Sequence, residues 1–342
     1  MERIREFIAT TTMRRHRFIL ACLAGLSLIS VQPGFAGGKD KKREEAAALL
    51  TQAAELSNLR SPESPPFRLR ARAQISGRSK ERADGSYLLV WASPEQWREE
   101  ITFPGFSQVR VVKEGKLWQR RSVDYLPLRI YHLTQALDFQ SRLKLKPGQK
   151  IDKIRERKRN GTPIRCVKVR PDAVNFYEFC FDPADGFLVC DRYPVVTYEY
   201  TDHVAWESKI FPRTLRVLEY GKPVVEVWVE ELKVEPAPAP SLFLPLSNAE
   251  VQIWCENPEP ARALREGSRR ETYYFLSSPA TGIVSIYAVI GEDGKLHNLT
   301  LLRSVSHELA ATDLDFYKHL RFRPEMCNGV PVKHEIVFEV KH

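Results

Sequence analysis

The 342-residue chain has no C-x-x-C pair, no G-x-S-x-G elbow, no P-loop and no G-x-G-x-x-G run. Each absence removes a class of chemistry. Without them there is no cysteine zinc knuckle, no strained turn presenting a serine nucleophile and no glycine-lined phosphate cradle. His307-Glu308 opens like a metalloprotease helix, but the position four residues later is Ala311, so the second ligand is missing. His297, His319 and His334 share the C-terminal region with it at spacings that do not form a ligand pair, and they read as solvated side chains. Adjacent carboxylates such as Glu99-Glu100 and Glu230-Glu231 fall on opposite strand faces, the wrong placement for shared acid–base work. The expectation is no catalytic residue, no metal and no cofactor, hence a non-enzymatic protein. A hydrolase without a local signature would need a deep polar pocket of converging titratable groups.

A long apolar run is also lacking. The most hydrophobic stretch, residues 18–31, has 14 residues, too few to span a bilayer. Arg14, Arg15 and Arg17 precede it, and Gly34-Phe35-Ala36 follows with small residues at both cleavage-defining positions. This is the pattern of a secretory signal, residues 1–36, removed after Ala36. Retained, the segment would be an N-terminal anchor. The signal holds five of the 52 basic and two of the 43 acidic residues, so its removal lowers the net charge from +9 to +6. That dilute basicity suits an anionic lipid surface better than nucleic acid, which is not expected as a partner. Nine Lys/Arg in residues 142–161 concentrate part of it, either as a solvated hairpin or as a dock for anionic lipid head groups.

What is present is mostly strand. Residues 39–59 carry Ala46, Leu49, Leu50, Ala53 and Leu56 at helical spacing. After Ser61-Pro62 the period becomes two: Phe67, Leu69, Ala71, Ala73 and Ile75 alternate with Arg68, Arg70, Arg72 and Gln74. Further strands are expected at 85–91, 97–103, 107–112 and 116–121, and one amphipathic helix over 126–142 bearing Ile130, Leu133 and Leu137. Asn160-Gly161 marks a two-residue hairpin, because both central positions of a type I′ turn need positive φ. The segment 235–240, EPAPAP, reads as a short stiff connector. The fold class is therefore mainly β. An N-terminal curved antiparallel half-barrel of about ten strands carries two covering helices (37–246). A connecting segment (247–280) and a small C-terminal ββαβ domain (281–342) follow.

Five cysteines remain after the signal, and in an oxidising compartment they are disulfide candidates. Hairpin arithmetic centres Cys166 and Cys180 on residue 173 and Cys180 and Cys190 on residue 185, both inside turn-forming stretches. Cys180 thus has two cross-strand partners. Cys166–Cys180 is preferred, its short loop contributing ~3 kcal/mol in the chain-entropy model. Cys255 and Cys327 would close a much longer loop, for roughly 4 kcal/mol.

From Gly282 the chain runs GIVSIYAVIGEDGKLHNLTLLRSVSHELAATDLDFYKHLRFRPEMCNGVPVKHEIVFEV. The order strand, Asp293-Gly294 turn, strand, leucine helix, R-F-x-P, N-G-x-P-V and strand resembles the TonB C-terminal domain. That resemblance implies an edge strand, Glu335, Ile336, Val337, Phe338, Glu339 and Val340, that pairs with an extended segment of an outer-membrane or other envelope protein. Residues 67–245 are similar to the LolA-like family of periplasmic lipoprotein carriers. The stretches SYLLVWASPEQWREEITFPG, KEGKLWQRR, DPADGFLV and KIFPRTLRVLEYGKPVVEVWVEEL ending in LFLP carry the similarity. It implies a lidded half-barrel whose groove holds acyl chains, with Leu69, Ala71, Tyr87, Leu89, Trp91, Val109, Val111, Leu133 and Leu137 as candidate groove residues. Together these imply a periplasmic carrier of a lipid or lipidated protein with a partner-docking module. The alternative is a membrane-anchored transducer or scaffold of TonB type. It needs a retained anchor, and the six-residue connector spans only ~19 Å in extended form.

Overall fold

Alternation of arginine and apolar residues is what makes the first strand a strand with one dry face. In β1 (Phe67–Ser76) Phe67, Leu69, Ala71 and Ala73 are buried while Arg70 and Arg72 reach water. The computed structural model describes residues 37–77, 81–145, 149–170, 176–264 and 282–342. The signal-like segment 1–36 and the turn expected at 171–175 lie outside them. A helix, α1 (Gly37–Ser57), precedes β1. Then come β2 (Arg82–Ser93), β3 (Gln96–Phe103), β4 (Phe106–Lys113), β5 (Lys116–Arg121), α2 (Leu128–Leu137) and α3 (Phe139–Leu143). The second run is β6 (Lys150–Arg159), β7 (Thr162–Arg170), β8 (Tyr177–Phe181), β9 (Leu188–Arg192), β10 (Val196–Trp206), β11 (Lys209–Glu219) and β12 (Lys222–Val234). β13 (Glu250–Ile253) follows a short helical turn, Pro240–Phe243.

These strands form one antiparallel sheet in the order β13-β5-β4-β3-β2-β1-β12-β11-β10-β9-β8-β7-β6. β1 lies between two meanders that run away from it in opposite directions. The sheet is open: β13 and β6 are its edges and do not meet. Positive φ at Asn160 and Gly161 makes the β6–β7 turn, as the dipeptide implied. The helix expected over 126–142 is two helices, broken at Asp138, whose ψ of 36° leaves the helical region. Its carboxylate accepts a hydrogen bond from the Gln140 side chain at 2.6 Å, local competition typical of Asp inside a helix.

One face of the sheet carries the helices. Ala46, Leu50 and Ala53 of α1, Ile130, Leu133 and Leu137 of α2, and Phe139 and Leu143 of α3 join Phe67, Leu69, Tyr87, Trp97, Val227 and others in one apolar cluster. Burying each leucine contributes ~1.5–3 kcal/mol. The opposite face has a smaller cluster, in which Phe243 covers Val90 and Val111.

The C-terminal part adds β14 (Arg262–Ala263), β15 (Ile283–Ile290), β16 (Leu296–Arg303), α4 (His307–His319), β17 (Phe322–Arg323), β18 (Glu325–Cys327), β19 (Val330–Val332) and β20 (His334–Lys341). β16, β15 and β20 form a three-stranded sheet in that order. Ser306 caps α4 by accepting the Leu309 N–H at 3.2 Å, and Leu309 packs on Val284 and Ile286. Gly294 is required at its turn: φ is +72° and a Cβ would meet the Phe322 carbonyl oxygen at 2.1 Å. The sheet's other face does not look into water. Tyr287, with Val289, Leu302 and Val337, packs into the large cluster of the first sheet, and Lys39–His342 forms one compact unit. Among the described residues no helix is long and apolar enough to cross a membrane.

Candidate functional site

Register decides which candidate groove residues share a face. Leu69 opposes Leu89, Ala71 opposes Tyr87, and Phe67 opposes Trp91, all on the face under the helices. Leu133 and Leu137 descend onto the same face from α2. Val109 and Val111 do not. Through β3 they align with Leu88 and Val90, on the opposite face beneath Phe243. The sequence F-S-Q-V-R-V-V-K fits either phase of the strand, and counting valines favours the wrong one. The inner phase carries Phe106, Gln108, Arg110 and Val112, because Gln108 and Arg110 have buried partners there: Arg121 at 2.7 Å and Glu99 at 3.5 Å.

The inner face is not uniformly oily. Tyr87 donates to Glu99 at 3.1 Å, and Arg60 donates to the Tyr87 hydroxyl at 3.2 Å. The guanidiniums of Arg60 and Arg110 lie 5.8 and 5.3 Å from the Trp97 ring centroid. Burial, and then the Glu99 charge, push the Tyr87 hydroxyl far above its ordinary value, so it stays a neutral donor. Further along, Arg142 of α3 donates to Asp191 at 3.0 Å and to the Tyr200 hydroxyl at 2.7 Å, while Tyr200 donates to Asp191 at 2.9 Å. This group fastens α3 to β9 and β10.

An apolar pocket of about 400 Å³ opens between α1, the turn after it, the end of α3 and the start of β11. Ala47, Leu50, Ala54, Pro62 and Leu143 line it, and Leu145 stands at its mouth, 41% exposed. Leu50, Ala54 and Leu143 belong to the same cluster as Leu69, Tyr87 and Leu133, so the pocket's floor is continuous with the sequence-proposed groove. None of the nine proposed groove residues lines the pocket itself.

The C-terminal sheet is fixed to the first by two polar groups. Glu335 accepts from Arg121 at 2.9 Å, Gln119 at 3.1 Å and Tyr287 at 3.0 Å. Burial opposes its ionisation, but Arg121 prevails and holds it below the carboxylate range. Glu219, at the end of β11, pairs with Arg129 of α2 and with Arg303 of β16 at 2.8 Å, and lies 3.4 Å from His132 Nε2. Arg303 also reaches Glu339 at 3.0 Å. His132, Glu219 and Glu339 place ligand atoms within 4.8 Å of one another. Two arginines already neutralise the two carboxylates, so a divalent cation would add uncompensated charge to a buried site. The arrangement is a joint, and no local sequence signal could have found it, because its members come from four separated segments.

Glu335, Val337 and Glu339 of the proposed edge therefore point at the first sheet, while Ile336 and Phe338 face α4. On the outer side of β20 no strand pairs among the described residues. A polar cleft of about 720 Å³ lies between β5, β13 and this sheet. Six of its titratable groups are paired, Arg121 with Glu335, Lys333 with Glu250 and His297 with Asp293; Arg120, Asp124 and Glu292 also line it. Its lining includes no serine, cysteine or threonine.

Disulfides join Cys166 to Cys180 and Cys255 to Cys327. Cys180 directly opposes both Cys166 and Cys190, as the arithmetic required, and among the described residues Cys190 is the buried free thiol. Burial raises its pKa, which suppresses the thiolate.

No family model matches the chain, and no curated protein matches it in sequence. Solved structures similar to it include a LolA superfamily protein from Nitrosomonas europaea. That match has 13% identity and a TM-score of 0.41, and covers 58% of this chain and 97% of that one. A domain assigned to outer membrane lipoprotein sorting from Vibrio parahaemolyticus matches at 8% identity and TM-score 0.40, covering 59% and 97%. A DUF1329 family protein from Desulfovibrio piger matches at 10% and 0.42, covering 59% and 97%. The TonB C-terminal domain has no counterpart among these three.

Proposed function

We propose that this chain is an exported, non-enzymatic carrier that holds a hydrophobic ligand, a lipid or the acylated end of a protein, between its helices and its open sheet. The observation that carries this reading is the apolar pocket beneath α1 and α3, contiguous with the buried face bearing Leu69, Ala71, Tyr87, Leu89, Trp91, Leu133 and Leu137. Val109 and Val111 form no part of it. The helices close over a filled base, so the pocket is the entrance, and swinging α1 away from the sheet lengthens it toward those residues. The signal-like N-terminus and the two disulfides support an oxidising extracytoplasmic site such as the periplasm. The outer edge of β20 supports docking to an envelope partner by strand addition.

The test is native mass spectrometry of the purified protein with lipid extraction of the same sample. The carrier reading expects a co-purifying lipid, or its acquisition from vesicles in stoichiometric amount. Repeated recovery of bare protein that takes up nothing overturns it.

A further inference from the structure

The pocket's size and rim restrict what it takes. At about 30 Å³ per water-sized group, a methylene being similar, about 400 Å³ holds roughly a dozen chain carbons. That is one tail with its end left at the mouth, not two tails side by side. Ala47, Leu50, Ala54, Pro62 and Leu143 give the walls a mostly hydrocarbon surface, with Thr51, Asn58 and Ser61 as the uncharged polar side chains among them. The rim is different. Lys144, Lys209, Glu55 and Glu63 stand around the opening, two ammonium groups and two carboxylates. Lys209 Nζ donates to the Glu55 carbonyl at 3.0 Å, which fixes one ammonium at the end of α1. Leu145, beside Lys144, exposes an apolar surface where a chain would pass.

We infer that the pocket binds a single-chain zwitterionic amphiphile of the lysophospholipid class, with its tail along Leu50 and Leu143, its phosphate at the two lysines and its amine at the two glutamates. This rests on the carrier reading above and names the ligand class for the same pocket. A balanced rim complements a head carrying both charges, whereas a simple fatty carboxylate leaves the two glutamates facing it unanswered.

The experiment titrates the full chain with four probes by calorimetry: lysophosphatidylethanolamine, palmitate, diacyl phosphatidylethanolamine vesicles and a triacylated lipopeptide. Expected is one lysophospholipid per chain, bound roughly tenfold more tightly than palmitate, since one charge-assisted contact is worth about that factor. Lys209→Glu should weaken lysophospholipid binding roughly tenfold and leave palmitate weaker still, while Ala54→Trp, which fills the pocket, should abolish both. If Ala54→Trp does not fold, the exposed-rim substitution Lys144→Glu still tests the phosphate contact and should weaken lysophospholipid binding roughly tenfold, unchanged binding overturning the head-group assignment. Palmitate binding as tightly as the lysophospholipid overturns the head-group assignment. Binding of the lipopeptide or diacyl lipid without the single-chain probes overturns the inference while sparing the carrier reading, and no binding of any probe overturns both.

Discussion

Two buried acids hold the helices, and they do so on opposite terms. Asp191 is sealed within the first sheet against Arg142 and Tyr200. Glu219 sits at the rim, shared by α2, β11 and the C-terminal sheet through Arg129, His132 and Arg303. Burial dominates at Asp191 and raises its pKa in spite of Arg142 and the tyrosine hydroxyl. At Glu219 burial also opposes ionisation, but the nearby His132 imidazole and the guanidiniums of Arg129 and Arg303 outweigh it, and the carboxyl titrates far below the usual range. One acid, supplied with a single arginine, does not offset its desolvation; the other, also buried but doubly paired, gains. The difference teaches that an internal fastening and an intermodule joint are built from the same residue types and differ in how many cations each acid meets.

The largest effect should come from Asp191→Ala, which leaves Arg142 buried without its acid. A loss of about 3–5 kcal/mol in chemical denaturation is expected, with hydrogen exchange rising in α3, β9 and β10 together. Cys255→Ser with Cys327→Ser comes next, at roughly 4 kcal/mol for a separation of 72 residues. It should free the C-terminal sheet without loosening β9 and β10. Glu219→Gln should lose about 2–3 kcal/mol, since it strips charge-assisted bonds from two arginines, and exchange should rise in α2 and β20 but not in β9. If all three variants loosen the same segments, the two acids are not separate devices.

The pH dependence sharpens the contrast further. A lowered folded-state pKa means the unfolded chain binds more protons. The Glu219 contribution is therefore full above the ordinary carboxylate pKa and lost only as pH falls toward its depressed value. Asp191 has the opposite sign: with its folded-state pKa raised, its contribution falls as pH rises through that value. Comparing wild type with Glu219→Gln and Asp191→Asn across pH 3–7 should remove slopes of opposite sign. The smallest effect expected is from Glu45→Ala. It breaks an exposed pair with Arg165 at 2.9 Å and should cost less than about 1 kcal/mol.

Sequence legibility followed locality. Alternation placed β1 and its neighbours, and the Asn160-Gly161 turn and the Cys166–Cys180 disulfide followed from short-range geometry, whereas Cys255–Cys327, 72 residues apart, was reached only by pairing the remaining cysteines. Where a strand carried valines in both phases, as at Val109, Val111 and Val112, alternation could not choose. The choice was made by Glu99 and Arg121 on neighbouring strands, buried partners that no single-strand pattern contains. The break at Asp138 was blurred because the apolar stripe continues through it into Phe139 and Leu143. Contact between the C-terminal sheet and the first was illegible for the same reason as the Glu219 joint: Arg121 and Glu335 are 214 residues apart. The pocket mouth, by contrast, is made of residues that looked ordinary: a helix stripe at Leu50 and a lysine beside Leu145.

In β20 the reciprocal bonds between Gly282 and His342 set the phase of the ladder with β15. Counting back from them in twos, the N–H and C=O groups of Glu335, Val337 and Glu339 point away from β15. These are also the residues whose side chains touch the first sheet. A newcomer strand laid along that edge would set every second side chain against the rim of the first sheet, and the others beside α4. Its recognition sequence would be written jointly by both modules, so severing them should broaden what the edge accepts.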